Sequence, residues 1–148
     1  REIFIQKLLR KKNNINYDLY GLFNRQPIWG DQFIKNLANS KFGLNLSRGK
    51  PIKYYSSDRI AQIVGNGLLT FIDRKTCYND FFTNKEMIFY DSIDDLASKI
   101  KWYSSRDKEW RKIAESGYNK YHKYFNSNII ANYIIEKTIG INSKYYWE

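Results

Sequence analysis

Apolar and polar positions change period several times along the 148 residues, and each change marks the edge of an element. From Arg1 to Lys12, Ile3, Phe4, Ile5, Leu8 and Leu9 recur at helical spacing, and Asn13-Asn14 end the stripe. Tyr17 to Phe23 reads as a short buried strand with a glycine at Gly21, followed by loop chemistry at Asn24-Arg25-Gln26-Pro27. Asp31 is placed to cap a helix that carries Phe33, Ile34 and Leu37 on one face. Lys41 to Leu46 alternates as a second strand, and Ser47 to Tyr55 is a basic loop with Gly49 and Pro51. Ser57 or Asp58 can cap the next helix, Arg59 to Val64, which Gly65-Asn66-Gly67 stops. Leu68 to Ile72 is a continuous apolar run of strand length, as a parallel sheet demands.

A short helix is expected around Tyr78 to Phe82 and a strand at Met87 to Tyr90. Ser92-Ile93-Asp94-Asp95 opens a capped helix carrying Leu96, Ile100 and Tyr103. Another starts near Asp107 and runs through Trp110, Ile113 and Ala114 towards Tyr121. The last, Asn128 to Ile139, is apolar at Ile129, Ile130, Tyr133, Ile134 and Ile135 and ends at Gly140. Strands separated by helices of this length give βαβ units and a parallel sheet covered on both faces. The expected fold is therefore α/β: one Rossmann-like three-layer domain over residues 1–148, with a small parallel sheet of about four strands and a helical C-terminus. Ligands on such sheets bind outside the carboxyl ends of the strands. That geometry points to the loops after Phe23, Leu46 and Ile72, together with the helix start at Ser57 to Arg59.

Composition narrows the partners. The formal charge of +10 favours anions: nucleic acid, an acidic membrane face or a phosphorylated substrate. AT-rich coding, which favours Lys, Asn and Ile, accounts for part of that charge. Cys77 is the only cysteine, which excludes an intramolecular disulfide and a four-cysteine zinc site and suits a reducing cytoplasm. No apolar run approaches the roughly 20 residues that span a bilayer. The chain opens on Arg1, which fits an excised fragment.

The strongest constellation is Asn45-Leu46-Ser47-Arg48 followed by Lys50, Lys53, Ser56, Ser57, Asp58 and Arg59. Cations and hydroxyls crowd a loop that enters a helix N-terminus, where exposed N–H groups favour an anion. Arg48 and Arg59 can each bind phosphate oxygens bidentately, which lysine cannot. The plainer alternative is a solvated basic loop in which Asp58 is only a cap. Gly65-Asn66-Gly67 allows close backbone approach to a ligand, and a C-cap before a strand explains it equally well. The only histidine, His122, sits in the aromatic stretch Tyr118 to Phe125 and reads as packing. Asp94-Asp95 reads as capping rather than as an acid–base pair. No Gly-x-Gly-x-x-Gly or Walker A pattern occurs.

Gly43-Leu44-Asn45-Leu46-Ser47-Arg48, then Asp58 to Gly67, then Leu68 to Asp73, resemble the C-terminal domain of group-1 glycosyltransferases of the GT-B fold. That family, which includes spore-maturation-protein-like glycosyl transferases, places a strand ending in Asn-x-Ser before an Arg-x-Phe-Glu-Ala-x-Ala-x-Gly helix and a further strand. The layout stays similar through Glu86–Tyr90, Asp95-Leu96, Arg111–Ala114, Gly117 and His122, so the likeness covers roughly residues 17–139. It implies half of a GT-B enzyme that transfers sugar from a nucleotide-sugar to a glycan, lipid-linked or protein acceptor. Donor-binding residues would be Asn45, Ser47, Arg48, Lys53, Ser57, Asp58, Arg59, Gln62, Asn66 and Gly67. Gln62 stands where the family has the glutamate that holds donor hydroxyls. No cofactor and no metal are implied, the nucleotide-sugar being a substrate. The acceptor domain would lie outside this chain, leaving the fragment inactive alone.

Two other readings remain from the residues: a nucleic-acid-binding module, and a non-catalytic interaction domain derived from a transferase. Against the first, cations and aromatics do not interleave and no RRM, OB or helix-turn-helix pattern occurs, so nucleic acid is not the expected partner. Membrane-surface association through Lys7, Arg10, Lys11 and Lys12 is compatible with the transferase reading and with a cytoplasmic protein peripheral to the inner membrane. The resemblance also makes residues 126–148 a crossover helix and tail. The expectation there is association through Tyr145–Trp147 or disorder beyond Gly140.

Overall fold

The computed structural model of the chain describes residues 1–11, 15–47, 49–55 and 58–148. Expectations that fall on Lys12, Asn13, Asn14, Arg48, Ser56 and Ser57 lie outside the described residues. The elements run α1 (Glu2–Leu9), α2 (Gly30–Asn39), β1 (Phe42–Asn45), α3 (Arg59–Val64) and β2 (Leu69–Asp73). Two 3-10 turns, Arg74–Thr76 and Tyr78–Asp80, lead to β3 (Ile88–Tyr90), and α4 (Ile93–Ser104), α5 (Asp107–Tyr124) and α6 (Ser127–Thr138) complete the chain. The fold is α/β, with a small three-stranded sheet and helices at the C-terminal end. All pairing is parallel in the order β1-β2-β3, with Phe42 opposite Leu69 and Phe71 opposite Ile88.

Alternation along the strands sends side chains to two cores. Leu69, Phe71, Ile88 and Tyr90 face Leu8, Leu96, Ile100 and Trp110, while Ile72 and Phe89 face Ile60, Val64, Phe82 and Met87. Strands buried on both sides need nearly continuous apolar runs, as at 87–90 and at 68–72, where the buried Thr70 hydroxyl donates to the Leu68 carbonyl. Helix α4 begins where the sequence places it: the Ser92 hydroxyl accepts from the Asp95 N–H at 3.1 Å. Helix α5 crosses the amino ends of the strands. Its Trp110 ring meets Phe42 edge-on at 5.8 Å, and its Gly117 lies against the backbone of Glu86.

Several expectations are corrected. Tyr17–Phe23 joins no ladder: residues 17–20 take no regular secondary structure and the chain turns through Gly21 to Asn24, with left-handed φ at Phe23 and Asn24. The sheet accordingly has three strands rather than about four. Asp31 does not cap α2; Trp29 holds that position, and Asp31 lies in the first turn, where its charge meets the positive helix end. Asp58 occupies the N-cap position of α3 without a side-chain cap bond. The glycine that α3 needs to turn into β2 is Gly67, at φ +74°, because Gly65 stays right-handed at φ −67°.

The tail past Gly140 folds back onto the end of α5 instead of standing free. The Trp147 ring stacks on Phe125 at 5.6 Å, and the Tyr146 hydroxyl donates to the Phe81 carbonyl at 2.9 Å. In this part of the chain the exposed apolar surface lies on α6 and just beyond it: Ile134 and Ile139 are 58% and 65% exposed, and α6 holds no buried residue.

Adding one methyl at Gly117 pushes a Cβ into the Glu86 carbonyl. Gly117→Ala is expected to lose about 1–3 kcal/mol by overpacking, read as a lower denaturant midpoint than Glu115→Ala on the exposed side of the same helix. Equal midpoints for the two variants would show that α5 has room to move away.

Candidate functional site

The strands are parallel, so their carboxyl ends share one edge, and the elements following them converge there. Asn45 ends β1 and is 4% exposed, and Ser47 behind it is half-buried. Arg59 opens α3 and bends back to donate from its Nη2 to the Leu46 carbonyl at 2.9 Å. This bond ties the start of the helix to the exit of the strand.

Arg59 is electrostatically unusual. Its Nε is buried with no hydrogen-bond partner, and no described carboxylate lies within ion-pair distance of its guanidinium. Burial lowers its pKa, Arg1 lowers it further, and Asp58 offsets only part of that. A half-buried cation facing another cation is poorly solvated and has unused donors, and an anion relieves both deficits.

The basic loop is held down from the other side. The Tyr54 N–H donates to the Thr76 carbonyl at 2.8 Å, and its hydroxyl donates to Asp80 at 2.7 Å. The Tyr54 ring lies 5.0 Å from Phe81, with the Lys53 ammonium 4.7 Å from its centroid. Tyr54 and Cys77 both adopt left-handed φ, 60° and 57°, so the loop and the turn after β2 meet through strained residues. Bonding to Tyr54 raises the Lys53 pKa, which keeps the ammonium charged.

The cations nearer β3 are occupied. Arg74 pairs with Asp91 at 2.9 Å, and Lys99 bridges Asp95 and the Phe89 carbonyl, both at 2.7 Å. The edge is thus divided, with closed ion pairs beside β3 and unmatched charge beside β1.

The residues expected from the sequence do not all meet. Asn45, Ser47, Asp58 and Arg59 come together around the exit of β1, and Lys53 sits on the loop pinned to the β2 turn. Gln62 is half-buried, one turn along α3 from Asp58. Asn66 and Gly67 lie beyond the other end of α3, where Asn66 Nδ2 donates to the Gln62 carbonyl and Gly67 faces Tyr118. Arg48 and Ser57 lie outside the described residues. His122 is also at the amino-end side, 3.0 Å from the Gly65 carbonyl and against Tyr118. Among the described residues, no group of three or more His, Cys, Asp or Glu is placed to hold a metal ion, and no helix is long and apolar enough to cross a membrane.

Tyr54, Thr76 and Asp80 were not picked out from the sequence. The loop after Ile72 was, but nothing local signals a tyrosine and a cysteine in left-handed conformation.

A family model described as glycosyl transferase-like matches residues 1–136. No curated protein and no solved structure matches the chain.

Asp95 gives the edge a pH dependence. Burial alone would raise its carboxyl, but the Lys99 ammonium and the Asp91 N–H hold it below the ordinary range. A carboxyl lowered in the folded state stabilises above its unfolded pKa, and that contribution disappears as pH falls through the folded value. Asp95→Asn is therefore expected to destabilise at neutral pH and to show a shallower loss of melting temperature on acidification. Parallel acid limbs for the two proteins would show that other carboxylates set it.

Proposed function

The chain belongs to the glycosyl transferase-like family, and from that premise we propose that its carboxyl edge is the donor half of a glycosyl-transfer site, taking the diphosphate of a nucleotide-sugar. The single observation that carries the reading is Arg59: a half-buried guanidinium with an orphaned Nε, repelled by Arg1 and anchored at the exit of β1. Ser47 and the loop lysines Lys50 and Lys53 bring hydroxyl and ammonium donors to the same edge. Gln62 has an amide that can bond a donor hydroxyl without adding charge. The proposed donor set is drawn around Asn45, Ser47, Lys53, Asp58, Arg59 and Gln62, because Asn66 and Gly67 sit at the far end of α3.

In the proposed reaction, the bond between the sugar C1 and the diphosphate oxygen breaks as an acceptor hydroxyl attacks. The sugar becomes oxocarbenium-like, and negative charge grows on the departing diphosphate. Donors already fixed where that charge appears lower the barrier, since they need not reorganise. Arg59, held by Leu46, is suited to this. Acceptor binding and the base that takes the hydroxyl proton are assigned to a companion domain, whose closure over the edge would exclude water.

The isolated chain is expected to bind a nucleoside diphosphate weakly and to turn over no nucleotide-sugar. Calorimetry against UDP-, GDP-, CDP- and ADP-sugars tests this. Arg59→Ala should weaken the diphosphate by about 1.5–3 kcal/mol, the worth of a hydrogen bond to a charged group, with the fold retained and the melting temperature lowered only by the loss of the bond to Leu46. An unchanged affinity would remove Arg59 from the site. Failure of every nucleotide-sugar to bind, together with tight binding of single-stranded DNA, would favour a nucleic-acid module instead.

A further inference from the structure

The loop between β1 and α3 crosses the carboxyl edge, and its cations serve an anion only if something fixes where they stand. Among residues 49–55, only Tyr54 hydrogen-bonds to another part of the chain. Its N–H donates to the Thr76 carbonyl at 2.8 Å, and its hydroxyl donates to the Asp80 carboxylate at 2.7 Å. Its ring lies 5.0 Å from that of Phe81. A tyrosine at φ 60° is in a conformation that persists only where the surroundings over-determine it. Three separate contacts to residues 76–81 do so here. The seat itself is firm: Thr76 is fully buried with its hydroxyl donating to the Asp73 carbonyl at 2.7 Å, and the Phe81 carbonyl accepts from Tyr146.

The residues on either side of Tyr54 are the ones that meet charge. The Lys53 ammonium sits 4.7 Å from the centre of the Tyr54 ring, so the ring decides where that charge stands. On the other side, the Tyr55 phenol lies within electrostatic reach of the Arg59 guanidinium. An ion that draws on Lys53 and Arg59 together needs the loop at one distance from the start of α3. A loop free to swing would have to be ordered on binding, at a cost in affinity.

We infer that Tyr54 is a positioning residue: seated on Thr76, Asp80 and Phe81, it holds the loop so that Lys53 and Tyr55 stand ready with Arg59 for an incoming diphosphate. Tyr54 touches neither the sugar nor the reacting atoms and acts through its neighbours. The inference rests on the donor reading of Arg59 and adds a second residue to it, with the Tyr54–Asp80 bond as the removable part. Reciprocity follows: if a held loop favours the diphosphate, the diphosphate favours the held loop by the same factor. A peg that serves only stability has no such response.

The test compares the natural 148-residue chain with Tyr54→Phe, which keeps the ring on Phe81 and removes only the bond to Asp80. Inorganic pyrophosphate is the probe, read by calorimetry and by amide hydrogen exchange. Tyr54→Phe is expected to bind it about threefold to tenfold more weakly, the worth of one hydrogen bond. The amide of residue 54 should exchange faster, with those of Phe71 and Phe89 unchanged, and saturating pyrophosphate should slow it again. Asp80→Asn retains an accepting oxygen and should keep that amide slow, whereas Asp80→Ala should speed it as Tyr54→Phe does. If Tyr54→Phe does not fold, Asp80→Ala carries the same measurements. Natural affinity in Tyr54→Phe, while Arg59→Ala binds weakly, overturns the role of Tyr54 and leaves the donor reading standing. Faster exchange that pyrophosphate does not reverse makes Tyr54 a structural peg and overturns the inference too. No binding of pyrophosphate to the natural chain overturns the donor reading itself, and the inference with it.

Discussion

The parallel pairing of Phe42–Asn45, Leu69–Asp73 and Ile88–Tyr90 leaves neither sheet face free to meet water, and this constraint organises the molecule. Each fully buried apolar side chain contributes about 1.5–3 kcal/mol, but only if both faces are covered. Helices α1 and α4 supply one cover, and α3 with the aromatic turn at Tyr78–Phe82 supplies the other. Helix α5 serves both. Its Trp110 and Ala114 close the first core, and its Tyr121 and Phe125 pack against the second. It can do so only by passing close to the strand starts, which is why a glycine is needed at 117 and why His122 ends up beside the Gly65 carbonyl. With the amino ends closed in this way, chemistry is left to the carboxyl ends.

At those ends, charge is distributed by what each strand exit can offer. Beside β3, Asp91 and Asp95 neutralise Arg74 and Lys99, and the pairs mainly hold the strand exit to α4. Beside β1, Arg59 has no such partner among the described residues. The difference matters more than the net charge, because exposed lysines are satisfied by water whereas a half-buried guanidinium is not. Among the described residues, the proposed affinity of the edge for an anion therefore rests on Arg59 and its burial, with the loop lysines as support.

The elements that could be read from the sequence were those fixed by local chemistry. The Ser92 cap, the span of α3 and the continuous runs that form β2 and β3 follow from a few neighbouring residues. What could not be read depended on distant contacts. Tyr17–Phe23 has the composition of a strand, but composition cannot supply a neighbouring edge, and none is in place. Association through Tyr145–Trp147 or disorder beyond Gly140 is what the sequence suggests, whereas the rings of Phe125 and Tyr133 receive Tyr145 and Trp147 and leave Tyr146 partly exposed. In the candidate site, the meeting of Arg59 with the exit of β1 was legible because that strand and α3 are successive elements. Tyr54 and Asp80 were not, since they meet only through the fold. Asn66 and Gly67 share a sequence run with Arg59, but a helix of six residues puts them at its opposite end.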